Sequence, residues 1–165
     1  MDERWECGRV SGAAAVVDAC VAVSDIGRID MSQTRELLDT FAVSFRSQVS
    51  SERLAAVIDA MAACEEAVTA CAAAMVAEDD VQVLQDAIIR DLNCADVVTS
   101  ARRVVSRGGD ATLLGLLLEA CVMACEHSAE LCAKHAHHHD HCRLCSEATL
   151  RCAEACREVL HGLHS

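Results

Sequence analysis

The stretch Leu113–Leu160, LLGLLLEACVMACEHSAELCAKHAHHHDHCRLCSEATLRCAEACREVL, decides the fold class. Leu114, Leu118, Cys121, Cys125, Ser128 and Cys132 recur every three or four residues. So do Cys142, Cys145, Thr149, Cys152, Cys156 and Leu160. This spacing lines one face of an α-helix, so the stretch reads as two amphipathic helices, about 111–135 and 140–160, joined by a His-rich loop.

Outward from that pair the same period continues. From about Ser51 to Ala77 the line is Leu54, Val57, Met61, Cys64, Val68, Cys71 and Met75. From about Val81 to Arg107 it is Leu84, Ile88, Asp91, Cys94, Val98, Ala101 and Val105. Glu78-Asp79-Asp80 interrupts the stripe and offers Asp80 as a cap, while Gly108-Gly109-Asp110 supplies a stop and a fresh N-cap. Four helices of similar length with short loops predict an all-α fold, an antiparallel up-down four-helix bundle over 49–165. Residues 1–48 form an extra N-terminal helical segment, with helices expected from about Val10 to Ile26 and from about Ser32 to Ser47. Leu37, Leu38, Phe41 and Phe45 lie on one face of the second. This extension is expected to pack on the side of the bundle or at an oligomer interface, and a homo-oligomer is expected.

Composition agrees with helices. The 165 residues are 53% apolar yet only 2% aromatic, with no proline or tyrosine, which leaves too few turn and strand formers for a sandwich or barrel. The net charge of −12 argues against nucleic acid and anionic membranes as partners, because both need a basic face. The acidic start, Met1-Asp2-Glu3-Arg4-Trp5-Glu6, is unlike a signal peptide, and no apolar stretch is expected to approach the roughly 20 residues of a membrane span. A cytoplasmic location is therefore expected, where thiols stay reduced and the 12 cysteines are not a disulfide framework.

Seven of those cysteines lie between positions 121 and 156, and all eight histidines lie from 127 onward. Cys121/Cys125 and Cys152/Cys156 are four apart; Cys64/Cys71, Cys125/Cys132 and Cys145/Cys152 are seven apart. All fall on the leucine-bearing core face. Residues four apart on a helix have Cβ atoms roughly 5–6 Å apart, too far for a disulfide. A metal ion spans that gap, and thiolates select Cu(I), zinc or the iron of a cluster. Zinc prefers four ligands from loop-borne pairs, so rows of thiols along helices suit Cu(I) better. Between the last two helices, Cys132 and Cys142 flank His135, His137, His138, His139 and His141, which suits metal capture at the mouth of the bundle. His127, His161 and His164 read as solvated or capping residues. Met61, Met75 and Met123 read as core fillers, with Met75 near enough to the His loop to offer a weak thioether. Cys20 reads as a core residue and Cys7 as uninformative.

The stretch resembles the second half of the four-helix-bundle copper storage proteins. The residues that carry the resemblance are Cys121-Val122-Met123-Ala124-Cys125-Glu126, Cys132-Ala133-Lys134-His135, His141-Cys142-Arg143-Leu144-Cys145 and Cys152-Ala153-Glu154-Ala155-Cys156. Asn93-Cys94-Ala95-Asp96-Val97 and Ser106-Arg107-Gly108-Gly109 resemble that family's second helix and its exit. The resemblance covers roughly positions 50 to 162. It implies a tube of thiols holding many Cu(I) ions, with histidines and methionines guarding one end. Val98, Ser128 and Thr149 stand where the family pattern has cysteine, and Val68 separates Cys64 from Cys71.

The expected ligands are Cys64, Cys71, Cys94, Cys121, Cys125, Cys132, Cys142, Cys145, Cys152 and Cys156, with His135, His139 and His141 at the entrance. Ten thiols at two per ion give on the order of five Cu(I). The expected function is cytosolic Cu(I) storage or sequestration, with metal ions as partners and no copper donor or acceptor protein identified. An iron–sulfur cluster on four of the bundle cysteines is the alternative cofactor, and a metal-free, self-associating helical bundle is the structural alternative. No enzyme is indicated: the sequence offers no phosphate loop, nucleophile triad or paired catalytic carboxylates.

Overall fold

The computed structural model describes residues 31–40, 49–108 and 110–163, with five helices among them: α1 (Met31–Asp39), α2 (Ser51–Val76), α3 (Val81–Arg107), α4 (Ala111–His135) and α5 (Asp140–Leu163). The expectations for Cys7, Cys20, Phe41, Phe45, His164 and the helix over 10–26 lie outside the described residues.

Local chemistry sets the helix ends. The Ser50 hydroxyl accepts the amide of Arg53 and opens α2, and the Asp110 carboxylate does the same for Leu113 at the start of α4. Gly108 closes α3 with φ at 68°, a left-handed backbone that favours glycine. Asp80 precedes α3 as expected, but its side chain makes no cap hydrogen bond; it turns instead toward His139. The α4–α5 connection is tight. The His138 and His139 amides both donate to the His135 carbonyl, and the His139 carbonyl accepts from Cys142 and Arg143.

Helices α2, α3, α4 and α5 pack in sequence, and α2 also packs on α5, which closes the ring of an antiparallel bundle. α1 packs on α2, with Leu38 buried and the Thr34 hydroxyl 3.5 Å from the Asp59 carboxylate. It ends at Asp39, where Thr40 turns back, its amide and hydroxyl both donating to the Leu37 carbonyl; the rest of the helix expected over 32–47 lies outside the described residues. Leu37 points outward, away from the face expected to hold it with Leu38.

Inside the ring the stripes meet as read, with small corrections. Val159 rather than Leu160 takes the deepest position near the end of α5, and Ala87 is more buried than Ile88 on α3. Met123, expected in the core, is 55% exposed, because two residues past Cys121 the helix has turned well off the core stripe. α4 also corrects the membrane expectation: among the described residues it is the one helix long and apolar enough, by length and composition, to cross a bilayer. Reading run by run hid this, since Glu119 and Glu126 divide the helix. Its apolar character serves two faces, the buried stripe of leucines and thiols and the exposed Leu113, Leu116 and Met123.

Candidate metal centre

All ten cysteines among the described residues are buried and carry free thiols. They occupy the half of the bundle nearer the His loop and the middle of the core; Leu54, Val57, Val105, Leu114, Leu118 and Val159 fill the opposite end. The sequence pairs thiols along a helix, whereas the sulfur–sulfur contacts of 4.0 Å or less run across helices. In the middle of the tube Cys125 lies 3.8 Å from Cys64 and 3.7 Å from Cys94, and Cys152 joins Cys64 and Cys125 in one group. Nearer the mouth Cys71 lies 4.0 Å from Cys132 and 3.9 Å from Cys142. A metal–sulfur bond of about 2.3 Å separates two sulfurs by about 3.8 Å in tetrahedral and about 4.0 Å in trigonal geometry. The thiols therefore already stand at the separations of sulfurs that share an ion.

A residue that sequence reasoning missed as a ligand sits among them. Asp91, on the α3 stripe, is fully buried in a group with Cys71, Cys132 and Cys145. It accepts the Ser128 hydroxyl at 2.6 Å and the Cys132 thiol at 3.4 Å, and the Cys145 sulfur lies 3.5 Å away. Burial, and after it the charge at Cys145, pushes its carboxyl up to about 7. Ser128, one of the positions where cysteine was expected, thus anchors a carboxylate. Thr149 bonds instead to its own helix, its hydroxyl donating to the carbonyls of Cys145 and Ser146. Val98 is plain core. A charged residue inside an apolar stripe was the available signal.

Within the thiol groups Cys94, Cys145 and Cys152 are pulled toward the thiolate, Cys94 to about 5 by its hydrogen bonds to Cys125 and Cys64. Cys145 is pulled below the ordinary thiol range by S–H donation from Cys132 and Cys71, and Cys152 by donation from Cys125, Cys156 and Cys64. Their neighbours are pushed up: Cys71 by its bonds to Cys132 and Cys145, Cys64 by its bond to Cys125, and Cys156 by its bond to Cys121. The thiols that are pushed up give up their protons as soft cations arrive.

At the mouth, the His141 Nδ1 atom is 3.5 Å from the Cys71 sulfur and 3.4 Å from the Cys142 sulfur, forming a His-Cys-Cys group. Glu78, His139 and His141 form a further group beyond it. Among the expected entrance residues His139 and His141 come together, and His135 joins neither group; its carbonyl shapes the loop. Cys121, the innermost thiol of α4, makes its long contact at 3.9 Å with the Val97 carbonyl. Met75 is fully buried near the same end as the His loop.

Comparison with known proteins adds an independent line. Residues 50–161 match the copper storage protein family, Csp. Among solved structures, the chain is similar to the copper storage protein Ccsp from Streptomyces lividans loaded with 10 copper equivalents. It is 39% identical, over 78% of this chain and 98% of that one, with a TM-score of 0.75. A five-copper form, described as a cytosolic copper storage protein from the same organism, is 41% identical over 67% and 93% of the two chains, with a TM-score of 0.66. A single-histidine mutant of Ccsp is 41% identical over 70% and 98%, with a TM-score of 0.69. No curated protein matches.

Proposed function

The chain belongs to the copper storage protein family, and from that premise we propose how its own residues take up and hold Cu(I). The observation that carries the reading is the set of ten buried free thiols, with sulfurs from all four bundle helices 3.7–4.0 Å from a neighbour or within the same group. Soft thiolates in a water-poor core select Cu(I). The capacity of ten thiols at two per ion is on the order of five Cu(I).

Copper arrives past His139 and His141 and is taken by His141 Nδ1 with Cys71 and Cys142. It passes to Cys132 and Cys145, where Asp91 offers a carboxylate oxygen to the same group. Asp91 and Cys94 are three residues apart on α3, so they bridge the thiol-poor level of Val68 and Thr149. Beyond that level Cys64, Cys94, Cys125 and Cys152 form the second store, with Cys121 and Cys156 deepest. Each ion bound releases thiol protons, so affinity falls as pH drops.

The role is storage, and no catalytic reaction is assigned. We place the protein in the cytosol, the compartment of the similar Streptomyces lividans copper storage protein and the one that keeps thiols reduced. We propose that residues 1–48 serve the bundle at 49–165 as an extension for packing or as an oligomer interface; of them, α1 packs on α2. The test is an anaerobic Cu(I) titration of the full chain: several tightly bound equivalents support the reading, and no binding beyond one weak equivalent sinks it.

A further inference from the structure

The rim of the tube differs in chemistry from its wall. The wall is sulfur, whereas the rim brings together two imidazoles and two carboxylates from the two loops at this end. His139 Nδ1 lies 3.4 Å from Glu78 Oε1, and His141 Nε2 lies 3.1 Å from the same oxygen. Four ligand atoms at about 2.0–2.1 Å around a tetrahedral ion stand about 3.3–3.4 Å apart. Two edges of such a tetrahedron are therefore close to formed. The remaining nitrogen of His139, Nε2, is 3.5 Å from Asp80 Oδ2, the outer carboxylate that commonly orients a metal-binding imidazole. Both supports are fixed by backbone. Glu78 donates its amide to Met75 and accepts from Val81, and His139 is tied on both sides to the ends of α4 and α5. The His139 side chain is only 11% exposed, unlike its neighbours His137 and His138, which face solvent.

We propose that Glu78, His139 and His141 form a second metal site, for a divalent cation of nitrogen and oxygen preference such as Zn2+, with Asp80 as a positioning residue and water completing the coordination. Cu(I) is too soft to favour a carboxylate over the sulfurs beneath it; Zn2+ takes this donor set readily. The proposal does not rest on the storage reading, since none of its three ligand atoms is a sulfur.

The site is linked to the tube through one ring. His141 turns Nε2 outward to Glu78 and Nδ1 inward to Cys71 and Cys142. A neutral imidazole has one proton and one free lone pair. With the divalent ion on Nε2, the proton stays on Nδ1 and is donated to sulfur; with Cu(I) on Nδ1, the proton stays on Nε2 and is donated to Glu78. The two ions compete for His141, and a divalent ion at the rim acts as a cap that holds back the first Cu(I).

Co2+, a coloured stand-in for Zn2+, tests this on the copper-free full chain under nitrogen. The first equivalent is expected to give visible ligand-field bands without the intense sulfur-to-cobalt charge-transfer band, and Zn2+ is expected to bleach them. Glu78→Gln should weaken Co2+ binding at least about ten-fold and Asp80→Asn by about 10–100-fold, with the Cu(I) capacity of both variants unchanged. A charge-transfer band in the first equivalent that persists in Glu78→Gln would put the ion among the thiols and overturn the proposal. Binding of neither Co2+ nor Zn2+ overturns it as well. Loss of Cu(I) loading in the unmodified chain would instead strike the storage reading and leave the rim site standing.

Discussion

At the Gly108 end of the bundle, Leu54, Val57, Val105, Leu114, Leu118 and Val159 fill the space between the helices and are at most 1% exposed. At the His-loop end the same inward positions hold Cys71, Asp91, Cys132, Cys142 and Cys145, equally buried. The helical repeat does not change between the two ends; the side chains on it do. Each large aliphatic residue removed from water contributes roughly 1.5–3 kcal/mol, so the apolar end holds the four helices together. The thiol end, lined by small polarizable groups, can then exchange protons for ions without the bundle losing its anchor. Holding the fold and holding the metal are thus separated along one axis.

The largest effect expected from breaking this division is on copper. Replacing Cys64, Cys71, Cys125, Cys132, Cys145 and Cys152 by alanine should cut the Cu(I) capacity from on the order of five to one or two, while circular dichroism keeps its helical signal. Elemental analysis of the dialysed variant reads this directly. The converse change, Leu118→Ala, should cost about 2–5 kcal/mol of stability, measured by denaturant unfolding, with copper per folded chain unchanged. If Leu118→Ala removed copper as effectively as the cysteine changes, the division would be wrong.

A smaller effect sharpens the contrast through pH. The Asp91 carboxyl is raised from 3.8 to about 7, chiefly by burial and then by the charge at Cys145. The unfolded chain releases this proton near 3.8, so between there and about 7 the folded chain holds one more proton than the unfolded chain. Stability from this group is therefore present at low pH and declines as pH rises through that window. The copper-free protein should melt higher at about pH 5 than at about pH 7.5, and Asp91→Asn should narrow the difference. Equal differences in the two proteins would show that Asp91 carries no such proton.

The four bundle helices were legible because they follow a 3.6-residue period of mostly apolar side chains, with boundary signals at Asp80, Gly108 and Asp110. Positions near helix ends were less so. A pattern read in steps of three and four drifts against the true turn over a long helix, which is how Leu160 came to stand for Val159 at the end of α5. The thiols were legible as a set, since ten of them recur on the core faces of four helices, although a packed core thiol remained the competing reading for Cys64, Cys71 and Cys94. Their grouping was not, because contacts across helices depend on how four stripes register against one another. Asp91 lay in plain view on the stripe. Its meaning needed Ser128 from α4 and Cys145 from α5 to be brought to it. Glu78 read only as a helix breaker and Asp80 as a cap. Both face the histidines because two loops distant in sequence meet at one end of the bundle.

The most direct test of the division is to purify the untagged chain under nitrogen, load it with Cu(I), and count copper, zinc and iron per chain beside a visible spectrum. Several copper ions on a protein colourless in the visible are expected, because closed-shell Cu(I) held by thiolates has no ligand-field bands. Iron with visible absorption, or a folded chain that declines Cu(I), would contradict the account.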